Sequence, residues 1–153
     1  MLLAKGTFEI VQSMRKLFII NDVSGTAAQY GIGTFIQELS DSLQRTNCQI
    51  VKVDVNTDSF NIGICEKEKN VHWCLPKTKI KWDSDNYHYY RNIAYLLAAS
   101  VNEGDEVAFQ FNYLQHWIIS CILRKLLPTA RQILTIHYLD KEVKEKKDIF
   151  FSQ

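Results

Sequence analysis

The sequence predicts a doubly wound, mostly parallel α/β sheet of Rossmann-like form with an inserted β-hairpin. Three observations carry that prediction. The run Leu17-Phe18-Ile19-Ile20 closes on Asn21-Asp22, passes through a small-residue loop holding Tyr30-Gly31-Ile32-Gly33 and enters a helical pattern, which reads as strand, glycine loop, helix. A second strand, Gln49 to Val55, follows that helix and completes a strand-helix-strand unit. Further on, the β-branched and aromatic stretch Val107 to Tyr113 leads straight into an apolar helix, and Arg131 to His137 supplies another strand.

Each element has its own local cause. The first strand, Leu17 to Asn21, shows no polar alternation, the pattern of a strand covered on both faces. The helix from Gly33 to Arg45 puts Phe35, Ile36, Leu39 and Leu43 on one stripe and turns Gln37, Glu38, Asp41 and Gln44 to water; Thr46-Asn47 end it. The second strand alternates as a half-buried one. Phe60 to Ile64 and Val71 to Leu75, separated by the charged Glu66 to Asn70, form the hairpin, and Pro76 stops its second arm. Ser84-Asp85-Asn86 offers caps for a helix carrying Tyr90, Ile93, Ala94, Leu97 and Val101, which Glu103-Gly104-Asp105 ends. An apolar helix spans Leu114 to Leu127, with Pro128-Thr129 as the turn after it. Lys141 to Lys147 reads as a solvated helix or tail.

At 153 residues this is one domain, large enough to bury a core without disulfides or metal. Residues 1–13 form an N-terminal extension or an extra edge strand, and residues 14–153 form the Rossmann-like domain. The net charge of +1 gives no reason to expect nucleic acid. Cys48, Cys65, Cys74 and Cys121 show no metal or redox spacing and are expected as reduced thiols. There is no secretory pattern at the N-terminus, and Trp117 to Leu127 is interrupted by Arg124 and Lys125 and too short to span a membrane, so a cytoplasmic location is expected. Ile149, Phe150 and Phe151 call for a partner surface, either a further part of a longer polypeptide or a second copy in a homodimer.

In an open parallel sheet, ligands bind beyond the carboxyl ends of the strands, where the strand order reverses. Three predicted strands end there in polar groups: the first at Asn21-Asp22 and the Gly31/Gly33 loop, another at Asn112-Tyr113 with His116 one turn on, and the last at His137 with Asp140 close behind. The glycines either face an anionic ligand beside a helix N-terminus or supply positive φ to a loop. His137 is a general base, a donor to a sugar hydroxyl or phosphate, or a strand-end histidine paired to a carbonyl. Tyr87, Tyr89 and Tyr90 with Trp82 either stack on a sugar ring or pack in the core. His72 and His88 have no convergent partners and are left on the surface.

The segments LFIIND, GIG running into FIQEL, and LTIHYLD together resemble the N-terminal domain of retaining, nucleotide-sugar-dependent glycosyltransferases of the GT-B fold. FQFNYLQH is similar to a bacterial, Bacteroides-like subgroup of such enzymes active in polysaccharide synthesis. The likeness runs from Met14 to Asp140. It implies that Gly31 and Gly33 approach the donor diphosphate and that His137 is the catalytic-cleft histidine near the transferred sugar; Asn21, Asp22, Tyr30, Asn112, Tyr113 and His116, at the same predicted edge, are expected to line the acceptor side of that cleft. Two departures stand out: Tyr30 replaces the first glycine of a GG pair, and Tyr138-Leu139 separate His137 from Asp140.

The resemblance also implies that a C-terminal donor-binding domain, absent from this chain, carries most donor contacts, so that this acceptor-side half is inactive alone. The donor is a nucleotide-diphospho-sugar and the acceptor a sugar or glycolipid, which adds the inner face of the membrane as a working location. No cofactor is required and no metal is expected, because no D-x-D carboxylate pair of the kind that holds a metal to a sugar nucleotide is expected in this half. A rival class is a stand-alone flavodoxin-like domain that binds a nucleotide, flavin or phosphate at the same edge. A third is a subunit that completes its cleft with another chain.

Overall fold

The computed structural model of the protein describes residues 14–24, 32–66, 69–74 and 86–137, with 69–74 described as backbone only. Its elements are β1 (Arg15–Asp22), α1 (Ile32–Leu43), β2 (Cys48–Asn56), β3 (Asn61–Glu66), β4 (Lys69–Cys74), α2 (Tyr87–Ala99), β5 (Glu106–Phe111), a 3-10 turn (Leu114–His116), α3 (Trp117–Leu126) and β6 (Arg131–Leu134). The strands form a single mixed sheet in the order β4-β3-β2-β1-β5-β6. β2, β1, β5 and β6 run parallel, and the β3/β4 hairpin extends the β2 edge antiparallel. This is the expected α/β class with its hairpin. The predicted segments 1–13 and 138–153 lie outside the described residues.

The absence of alternation in β1 has the cause its sequence suggested. Successive side chains of a strand point to opposite faces, and both faces of β1 are covered. Ile19 packs with Ile32 and Ile36 of α1 and with Tyr113, whereas Phe18 and Ile20 enter the larger core with Ile93 and Leu97 of α2 and Ile119 and Leu123 of α3. β2 is covered more unevenly. Val51, Val53 and Val55 point into the large core, while on the other face Lys52 reaches Gln37 of α1 at 2.7 Å.

The placement of the helices follows from connectivity. The first crossover, through α1, carries the chain from β1 outward to β2; the later one, through α2, carries it back past β1 to β5. A right-handed crossover in each direction puts the two helices on opposite faces. The strand order therefore reverses between β1 and β5, and α3 joins α2 on the same face because β5 to β6 continues in the α2 direction.

Local chemistry closes the elements. Gly104 has φ +87° in the turn between α2 and β5, a conformation glycine adopts without the strain a Cβ would bring. At this amino edge of the sheet, Lys16 pairs with Asp105 at 3.0 Å, and Asp105 also accepts from the amides of Met14 and Asn102. On the opposite edge the Tyr89 hydroxyl binds the Asn56 amide at 3.0 Å and the Asn61 carbonyl at 2.5 Å, tying α2 to the β2–β3 turn. Burial pushes that phenol up to about 12, so it stays protonated as a donor. Among the described residues no helix is long and apolar enough to cross a membrane.

Candidate functional site at the carboxyl edge of β1, β5 and β6

The reversal point between β1 and β5 is where residues from three strand ends meet. Asp22 ends β1, and its carboxylate is the hub. One oxygen accepts from the Ser24 amide at 2.8 Å; the other accepts from Gln115 Nε2 at 3.1 Å and lies 3.2 Å from His116 Nε2. Asp22 and His116 are both buried, His116 completely. Burial alone would raise the carboxyl, but the hydrogen bonds from His116 and Ser24 outweigh it and hold Asp22 at about 2, so it is ionised at neutral pH.

The loop leaving β1 is stitched to β2 through the same region. The Val23 amide donates to the Val55 carbonyl at 2.9 Å, and Ser24 Oγ accepts from the Thr57 amide at 3.0 Å and shares a hydrogen bond with the Thr57 hydroxyl. Asn21 and Asp54 are register partners across the β1–β2 ladder and bond side chain to side chain at 3.0 Å. Asn21 Oδ1 and His116 Nδ1 are buried with no hydrogen-bond partner among the described residues.

His116 owes its position to the break at the end of β5. Strand pairing stops at Phe111, and a 3-10 turn at Leu114–His116 precedes α3, where one continuous helix from Leu114 was expected. That turn places the imidazole between the rings of Tyr90 and Tyr113, each with its centroid 5.7 Å away. It also brings Gln115 alongside Asp22.

The third strand end arrives through Asn112. Its Nδ2 donates to the Ile20 carbonyl of β1 at 3.2 Å, and its Oδ1 faces Nε2 of His137 at 3.2 Å. β6 is shorter than predicted. Its ladder ends at Leu134, although the Thr135 amide still donates to the Phe111 carbonyl at 2.9 Å. His137 therefore stands just beyond the strand, partly exposed, with the Phe35 ring of the first turn of α1 edge-on at 5.0 Å. Burial lowers its pKa below the ordinary 6.5.

The predicted site residues are thus brought together, but in two roles. Asn21, Asp22, Asn112, Tyr113, His116 and His137 all lie at the β1/β5/β6 carboxyl edge. Asp22, Asn112, Tyr113 and His116 are buried and hold the edge, with Tyr113 in the small core beneath α1, whereas His137 stays partly open to solvent. Tyr30, Gly31 and Asp140 lie outside the described residues, as does Trp82. Tyr89 and Tyr90 are core residues and offer no open face for a sugar, whereas Tyr87 is exposed.

Gly33 is the second residue of α1, without positive φ, and a Cβ built on it meets nothing within 4 Å. Neither loop strain nor crowding explains the glycine, whose amide is one of the first-turn groups that a helix does not pair within itself. We expect Gly33→Ala to stabilise the protein by about 0.5–1 kcal/mol in urea unfolding, because alanine loses less backbone freedom in a helix. A destabilised variant would mean that the first turn is held in some other conformation.

Sequence reasoning missed Ser24, Thr57 and Gln115. Ser24 follows Asp22 at the two-residue spacing by which an aspartate accepts from a nearby amide, a signal the chain does display. Thr57 and Gln115 carry no such local signature. Among the described residues no group of three or more His, Cys, Asp or Glu side chains is placed to hold a metal ion. The sequence does contain one D-x-D spacing, Asp83-Ser84-Asp85, contrary to expectation; it lies outside the described residues. Burial raises the Cys48 and Cys121 thiols, in keeping with inert side chains. Comparison with models of known protein families, with curated proteins and with solved structures finds no match to this chain.

Proposed function

We propose that this chain is the acceptor-side, Rossmann-like half of a GT-B glycosyltransferase that moves a sugar from a nucleotide-diphospho-sugar to an acceptor hydroxyl. The observation that carries the reading is the Ile20–Asn112–His137 line, which brings the histidine beyond β6 to the reversal point between β1 and β5, against the first turn of α1. Ligands of open α/β sheets bind at such a point. The resemblance of LFIIND, GIG and LTIHYLD to the glycosyltransferases assigns the diphosphate loop and the cleft histidine to this same edge.

In this reading His137 contacts the transferred sugar, the first-turn amides of α1 favour the negative charge of the leaving diphosphate, and the Asp22 hub keeps the edge rigid. The remaining donor contacts come from a second Rossmann-like domain, and the cleft between the two domains holds donor and acceptor in reacting geometry.

The test is transfer from a panel of nucleotide sugars to sugar and glycolipid acceptors. We expect no turnover by this chain alone and transfer by a polypeptide that joins it to a donor-binding domain, with His137→Ala lowering kcat of the joined enzyme by about 100-fold. Robust transfer by this chain alone would refute the half-enzyme reading. A flavin or nucleotide retained tightly by the isolated chain would favour the flavodoxin-like binding domain instead.

A further inference from the structure

The Asn112 amide lies between two partners whose chemistry leaves it one orientation. Nδ2 is 3.2 Å from the Ile20 carbonyl, and a carbonyl can only accept, so the amide nitrogen must face β1 and Oδ1 must face His137. An amide oxygen has no proton to give. The hydrogen in the 3.2 Å contact is therefore on Nε2 of His137.

We propose that Asn112 is a positioning residue that fixes His137 as its Nε2–H tautomer, so that Nδ1 meets the substrate as an acceptor for a sugar hydroxyl proton and not as a donor to phosphate. This rests on the glycosyltransferase reading for the identity of the ligand, though not for the tautomer. It narrows the roles open to His137, since a neutral ring whose only N–H is committed to Asn112 has no second proton for a phosphate oxygen. The hydroxyl donates to Nδ1 and no bond is made or broken in that contact.

The surroundings support a ring held in one state. Asn112 is buried and anchored to β1, so its amide cannot turn over without setting Oδ1 against the Ile20 carbonyl oxygen. The edge-on Phe35 ring packs beside the imidazole. Burial also disfavours the imidazolium, the one form in which both nitrogens would donate.

The experiment is long-range proton–nitrogen NMR correlation on the chain with labelled histidine, at neutral pH, comparing wild type with Asn112→Asp. In the wild type we expect His137 as the neutral Nε2–H form. In Asn112→Asp, a carboxylate beside Nε2 raises the His137 pKa by about one unit or more and shifts the ring toward the cation. An Nδ1–H tautomer or a cationic ring in the wild type overturns the proposal, and this measurement does not depend on how the variant folds. An unchanged His137 spectrum in Asn112→Asp overturns the positioning role. In the joined transferase the same substitution should lower kcat about tenfold. The correct tautomer in an assembly that transfers no sugar would leave the positioning in place and refute the glycosyltransferase reading, so the two failures are distinct.

Discussion

Asp22→Asn lowers the stability of the folded chain by about 3 kcal/mol, measured by urea unfolding at neutral pH. The carboxylate accepts three hydrogen bonds, from the Ser24 amide, from Gln115 and from the fully buried His116. An asparagine of the same shape keeps one acceptor oxygen and turns an NH2 group toward a donor, whichever way its amide is placed. If the oxygen stays on the Ser24 amide, the new donor faces both Gln115 Nε2 and His116 Nε2. The cost is chiefly that of leaving the fully buried His116 donor without a partner, which exceeds the net worth of the bond lost; the exposed Gln115 amide can turn to water.

The same residue sets a pH dependence. Asp22 titrates at about 2 in the folded chain against an ordinary 3.8, so the unfolded chain takes up this proton at higher pH than the folded one. The stabilisation is complete above the unfolded value and is lost as pH falls toward about 2, amounting to roughly 2 kcal/mol for this group. Wild type should therefore lose more stability than Asp22→Asn between pH 5 and pH 2. Parallel acid-unfolding curves for the two proteins would show that the carboxylate is not the hub described.

Phe109→Ala costs about 4 kcal/mol by the same measurement. Phe109 and Phe18 are direct register partners on adjacent parallel strands, with ring centroids 4.9 Å apart and planes inclined by 24°. Both are buried in the core beneath α2 and α3, so truncation leaves a cavity at the β1–β5 seam that the parallel ladder on either side cannot close. Because the seam is also the reversal point, the loss should extend to the Asn112–Ile20 contact one strand end away. Ile133→Ala on β6, at a side chain 47% exposed, is the control and should change stability by less than about 0.5 kcal/mol. Similar costs for the two variants would place the core elsewhere.

Much of the architecture was legible because each element is locally consistent. The unbroken apolar run of β1 announced burial on both faces, the stripe of α1 announced one buried face, and the hairpin was marked by two short runs around a charged turn. The ends of elements were less legible. Asn112 and Tyr113 have the composition of a continuing strand, but Asn112 spends its side chain on a β1 carbonyl and the chain turns into a 3-10 segment. Likewise β6 gives up its ladder before His137, a position that a β-rich sequence pattern has no means of marking.

The candidate site divides in the same way. Polar residues at strand ends are visible as interruptions of apolar runs, which is why Asp22, Asn112, His116 and His137 were picked out. Whether such a residue is open or buried is not visible, because it depends on which other strand end lies beside it. Tyr89 and Tyr90 read equally well as sugar platform and as core until α2 is seen lying over β2 and α3.

By itself, then, the sequence determined the kinds of element, their order, the parallel α/β class and the list of polar strand ends, since periodicity and composition record whether a side chain meets water or protein. Only the tertiary structure decided that β5 lies against β1, that His116 shares the Asp22 carboxylate, and that Asn112 stands between Ile20 and His137. Those contacts join residues 25 to 94 positions apart in the chain, and a local pattern carries no information on partners so distant. The direction of a crossover, not any residue near Asp22, brought His116 to it.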